Sequence, residues 1–214
     1  MSEKYIDKMS ERISNAPFGA AFVVSDFTDI MDHETAKKSI ARLEKNATIR
    51  RVLRGVYDKP KYSTFLQEYS APNPDSIAVA IARNNNWSIA PSGDVSLNLL
   101  GLSTQVPATW EYYSSGPYKS YQIDNCEIKF LHRTNREIEG FSPKTALLIQ
   151  AIKAVGVDGV TDTVIKQVSG RLSKDEKRIA LSEGQQTTRW IYEAIKKICV
   201  VTEGEIYVQD SPVA

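Results

Sequence analysis

Apolar residues recur at helical spacing near the start of the chain. Ile6, Met9 and Ile13 form one stripe, with gaps of three and four residues. After a short interruption, Ser25 is a residue of the N-cap type, and it opens a short helix with Phe27 and Ile30 inward. Asp32 is a second N-cap, and the segment HETAKKSIARLEKNA follows it. Its Ala36, Ile40, Leu43 and Ala47 are separated by four, three and four residues, which places them on one face. The period then changes. Ile49, Val52, Val56 and Tyr57 are strand formers on either side of Arg54-Gly55, a dipeptide suited to a tight turn. Three helices and a hairpin are therefore expected.

Pro60, Pro72 and Pro74 interrupt the next stretch, and a domain boundary is expected between Tyr62 and Asn73. This divides the chain into domains 1–65 and 66–214. A helix begins at SIAVAIARNN, with Asp75 or Ser76 near its cap and Ile77, Val79, Ala80 and Ile81 inward. Pro91 and Gly93 read as a loop, and Val95–Leu100 as a buried helix ending at Gly101. TWEYYSS, YKSYQID and CEIKFLHR alternate in the manner of strands and form an antiparallel meander. Four helices close the chain: SPKTALLIQAIKAVG, capped by Ser142 with Pro143 in its first position; TDTVIKQVSGRL; SKDEKRIALSEG, capped by Ser173; and QQTTRWIYEAIKKIC. The terminal QDSPVA reads as frayed. The expected class is α+β: an N-terminal winged helix-turn-helix, then a mixed domain with a small antiparallel sheet and C-terminal helices.

Charge sharpens this picture. The whole chain of 214 residues carries a formal net charge of only +1. From His33 to Lys61, however, nine Lys or Arg stand against three acids, so the rest of the chain is net acidic. A basic third helix followed by a basic hairpin is the pattern of a winged helix on double-stranded DNA. Lys38 and Arg42, with Thr35 beside them, are the expected groove-facing residues. Lys45, Arg50, Arg51 and Arg54 are expected at the backbone, where the arginine fork suits phosphate oxygens.

Other chemistry is thinly represented. Cys126 and Cys199 make neither a disulfide framework nor a CxxC metal pair, and they read as reduced thiols in a cytoplasmic protein. No apolar run approaches the roughly 18 residues of a membrane helix, so no membrane partner is expected. The opening MSEKYIDKMSERIS is charged and helical in pattern and is not expected to be a signal peptide. No P-loop, GxSxG or HExxH occurs, and no cofactor is expected. One enzymatic alternative has a pattern behind it. Glu127-Ile128-Lys129 is an acid-x-Lys strand, and with Glu111 or Asp94 it would suit a Mg²⁺-dependent nuclease. Alternating charges on a half-exposed strand also produce such a pattern, and the favoured reading is non-enzymatic.

The segments SDFTDI, TAKKSIARLEKN and IRRVLRGVYDKP, followed by IAPSGDVSLNLLGLSTQVPA, SSGPYKSY and FLHRTNREI, resemble the AbiEi-like antitoxins. The resemblance covers roughly Met1 to Cys199. It implies a transcriptional regulator of a type IV toxin–antitoxin system whose winged helix represses its own operon; the expected mechanism is occupancy, with a dimer or cooperative pair on repeated operator sites occluding a promoter. It further implies a C-terminal domain that counteracts a nucleotidyltransferase-like toxin without forming a stable complex with it. The matching positions support the assignment of Lys38, Arg42, Arg51 and Arg54 to DNA. They also draw attention to Ser92, Gly93, Asp94 and Asn98, and to Tyr118, Lys119, His132 and Arg133. The favoured reading of the first group is a structural loop and helix cap, and of the second the wet face of a sheet.

Overall fold

The computed structural model describes residues 2–133, 138 and 140–200. QDSPVA lies outside them, as does part of FLHRTNREI. The chain forms two compact units. One is built from the residues up to Ser88 together with Lys119–Lys129; the other from Ile89–Tyr118 and the described residues from Phe130 onward.

The first unit opens with α1 (Ser2–Asn15), β1 (Ala21–Val23) and a 3-10 turn (Val24–Phe27). α2 (His33–Lys45), β2 (Arg50–Leu53) and β3 (Val56–Asp58) follow. The anticipated stripes form its core. Met9, Ile13, Phe27, Ala36 and Ile40 are fully buried, with Leu43, Ile49 and Tyr57 packed beside them. Each large apolar side chain so buried contributes about 2 kcal/mol. Asp32 caps α2 as expected, accepting the Thr35 N–H at 3.0 Å. Two expectations fail here. Ala47 lies beyond the end of α2, exposed and at φ 56°, so the helical stripe ends with Leu43. Ser25 is not a cap: it lies inside the 3-10 turn, and Asp26 accepts the Val23 N–H at 2.9 Å instead.

β1, β3 and β2 form one antiparallel sheet in that order. Phe22, Tyr57 and Arg51 stand in register across it and so share a face. Phe22 and Tyr57 enter the helical core on that side. Ala21, Val23 and Val56 point the other way and are also buried. α3 (Pro74–Asn84) packs against β1 and β3. Its Arg83 grips Asp26 at 2.7 and 2.8 Å and also donates to the Ala21 carbonyl.

The first unit therefore runs past the boundary expected at 62–73, because its sheet has a second face to cover. The intervening segment is a hairpin, β4 (Tyr62–Ser63) and β5 (Glu68–Tyr69). It is pinched at its base, where Ser70 N–H donates to the Lys61 carbonyl at 2.8 Å and Lys61 N–H to Ser70 Oγ at 3.1 Å. Phe65 and Leu66 are exposed at its tip. Asn73, rather than Asp75 or Ser76, caps α3, with Pro74 in the first helical turn. Val79, expected inward, is exposed.

Beyond Ser88 come β6 (Ile89–Pro91), α4 (Gly93–Leu99), β7 (Thr109–Ser114), β8 (Lys119–Ile123) and β9 (Cys126–His132). Their order in the sheet is β6–β7–β9–β8, which is not a meander. β8 and β9 join through a tight turn at Asp124 (φ 48°), and β9 takes the place beside β7. β6 occupies what read as loop, and Pro91 is tolerated because β6 is an edge strand. The chain continues through α5 (Pro143–Val155), α6 (Asp162–Ser169), α7 (Lys174–Gly184) and α8 (Arg189–Val200). Leu148, Ile152, Val168, Ile195 and Ile198 form the centre of their shared core. Ser142 and Ser173 cap α5 and α7 as expected. No helix among the described residues is long and apolar enough to cross a membrane.

Both cysteines are free and half-buried. Burial pushes the Cys199 thiol up to about 11, which suppresses its thiolate at neutral pH. At pH 8, iodoacetamide should modify Cys199 about a hundredfold more slowly than a free cysteine. Peptide mass spectrometry over a time course checks this, and modification at the free-cysteine rate would contradict it.

Candidate functional site

The outer face of α2 carries Lys37, Lys38, Arg42 and Lys45, all exposed. Lys38, Arg42 and Lys45 follow one another at four and three residues and so form a single stripe. Arg51 is exposed on the edge strand β2. Arg54 is exposed in the turn, where Gly55 (φ 80°) supplies the left-handed conformation that closes the hairpin. Among the described residues none of these cations has an ion-pair partner. The expected basic surface thus has free charge on both α2 and the β2–β3 hairpin.

Two expected contacts are otherwise engaged. Arg50 donates to both carboxylate oxygens of Asp58, at 3.1 and 2.6 Å, and to the Ser70 carbonyl at 3.1 Å. Asp58 is 1% exposed, so it needs a counter-charge, and the hairpin register sets Arg50 directly opposite it. The bond to Asp58 raises the Arg50 pKa further, as does the nearby charge of Asp124. Thr35 is half-buried, and its hydroxyl donates to Asp32 Oδ2 at 2.6 Å. Together with the Thr35 N–H, this bond holds the Asp32 carboxyl below its usual range. Lys59 also has a structural role: it donates to the Ser14 and Ala16 carbonyls, each at 2.7 Å, and so closes the end of α1.

The candidates of the second unit separate into two groups. Ser92 is buried at the start of α4, its N–H donating to the Glu111 carbonyl at 2.8 Å. Asp94 is exposed, and Asn98 donates to the Gln105 carbonyl at 2.8 Å. These three have the character of loop and cap residues. Tyr118 stacks edgewise on His132, with ring centroids 6.3 Å apart. His132 and Arg133 line a cleft of about 700 Å³ together with Gly93, Tyr113, Gln150 and Lys153. Gln150 and Lys153 escaped the sequence reading. The available signal was a polar residue inside the apolar run ALLIQAI.

Glu127 and Lys129 point to one side of β9 and pair with each other at 3.2 Å. Among the described residues no group of three or more His, Cys, Asp or Glu could hold a metal ion.

Comparison with known proteins places this chain by family. Residues 8–180 match the model of DUF6088, a family of unknown function, and the chain belongs to that family. No curated protein and no solved structure matches it.

The arginines of the hairpin should separate by stability. Arg50→Ala strands a buried carboxylate and should cost about 3 kcal/mol. Arg51→Ala, at an exposed and unpaired position, should stay within about 0.5 kcal/mol. Urea unfolding of the two variants checks this, and equal losses would remove the distinction.

Proposed function

We propose that this protein is a non-enzymatic transcriptional regulator whose first unit is a winged helix that binds double-stranded DNA. The order helix, strand, helical turn, helix, two-stranded hairpin, with β1 completing the sheet, supports the winged-helix reading. The observation that carries the functional reading is the set of exposed, unpaired cations: Lys38, Arg42 and Lys45 on α2, and Arg51 and Arg54 on the hairpin. On this reading α2 enters the major groove, and the hairpin reaches phosphate or the adjacent minor groove. Arg50 leaves the contact set and acts as a strut beneath it. Repression is by occupancy, with a dimer or cooperative pair on the operator occluding a promoter.

The resemblance to AbiEi-like antitoxins supports a wider role. The second unit would then counteract a nucleotidyltransferase-like toxin without a stable complex between them. The family match itself assigns no activity.

The DNA-binding claim is tested by fluorescence anisotropy on the DNA upstream of the protein's own reading frame, across a salt series. Arg51→Ala and Arg54→Ala should each lower the log–log salt slope by about one. Lys38→Ala and Arg42→Ala should each weaken binding about tenfold. Binding that ignores salt, or that survives all four substitutions, would overturn the proposal.

A further inference from the structure

We infer that the cleft of the second unit binds a small phosphate ester of about mononucleotide size. It lies among Tyr113 of β7, His132 and Arg133 at the end of β9, Gln150 and Lys153 of α5, and Gly93 at the start of α4. At about 700 Å³ it exceeds a bare phosphate and falls within the range of small-ligand sites.

Its chemistry selects an anion. Arg133 and Lys153 are exposed and, among the described residues, without ion-pair partners. No described residue lining the cleft is acidic. The Arg133 guanidinium lies 5.1 Å from the Tyr113 ring centroid, a contact that orients the group without using its N–H donors. The Arg133 backbone is fixed as well, its N–H donating to the Ser114 carbonyl at 2.9 Å. His132 Nδ1 lies 2.9 Å from the Gly116 carbonyl; since a carbonyl only accepts, Nδ1 carries a proton and Nε2 is left for a ligand. Gln150 is 5% exposed and lines the same cleft, where its amide offers an uncharged donor and acceptor.

Two cations of different geometry suit a dianion better than a single carboxylate. The planar fork of Arg133 takes two oxygens, and the ammonium of Lys153 serves as a point charge. The volume beyond the phosphate, walled by Tyr113 and Ala154, accommodates the organic part. Gly93 has a packing reason to be glycine here, since a Cβ would come within 3.0 Å of the Ala154 Cβ.

Calorimetric titration of the full-length protein tests the assignment, with AMP, ribose 5-phosphate, inorganic phosphate and adenosine as probes. The phosphate esters should bind saturably, and AMP at least tenfold more tightly than adenosine. Arg133→Ala and Lys153→Ala should each weaken AMP about tenfold, the loss of one charge-assisted contact. Lys196→Ala, on α8 and paired with Glu193, should change nothing. If Arg133→Ala fails to fold by circular dichroism, Lys153→Ala, at an exposed helix position, decides alone. Absence of binding by every phosphate probe, or unchanged AMP affinity in the folded cleft variants, would overturn the inference. So would a single-stranded oligonucleotide that needs both residues while AMP does not bind, because the site would then grip a polynucleotide backbone.

Discussion

The small sheet β1–β3–β2 has two faces, and the first unit is organised by the need to keep both dry. The stripes of α1 and α2 cover one face through Phe22 and Tyr57. α3 packs against β1 and β3 on behalf of the other, with Arg83 gripping Asp26. Ala21, Val23 and Val56 make that second face apolar, so leaving it bare would expose them to water. That requirement, more than any linker, decides where the first unit ends. It also leaves β2 at the sheet edge, with Arg51 and the turn carrying Arg54 facing solvent.

The same sheet divides the labour among neighbouring arginines. Arg50 and Arg51 are adjacent, yet one bonds a carboxylate that is 1% exposed and the other has no ion-pair partner among the described residues. Alternation along the strand separates them. The cost of leaving Asp58 unpaired exceeds anything Arg50 would gain at the surface. Lys59 is withdrawn in a similar way, by the open carbonyls that end α1. Local charge in a sequence therefore overstates the charge available to a partner.

Much of the architecture was legible beforehand because its signals are local. The spacing of Met9, Ile13, Ile40 and Leu43, the caps at Asp32, Ser142 and Ser173, and the Arg54-Gly55 turn each depend on a few adjacent residues. What escaped depends on partners far along the chain. β6 is a strand because β7 pairs with it, and a proline hid it. The place of β9 beside β7 is a matter of tertiary pairing that alternation alone does not encode. Ala47 fitted the helical period, but the chain turns at that point through a left-handed residue. The free cations at the candidate site could be read from their spacing. The bond of Arg50 to Asp58 could not, because it required the burial of an aspartate eight residues away. Gln150 left a trace in the sequence, although only its burial beside the cleft gives that trace meaning.

The hairpin β4–β5 is held at its neck by the reciprocal bonds of Lys61 and Ser70, and by Arg50 on the Ser70 carbonyl. Distal to that neck, Phe65 and Leu66 are exposed and lie outside the buried core. Evolution can therefore lengthen, shorten or rewrite this protrusion without disturbing the body that bears it.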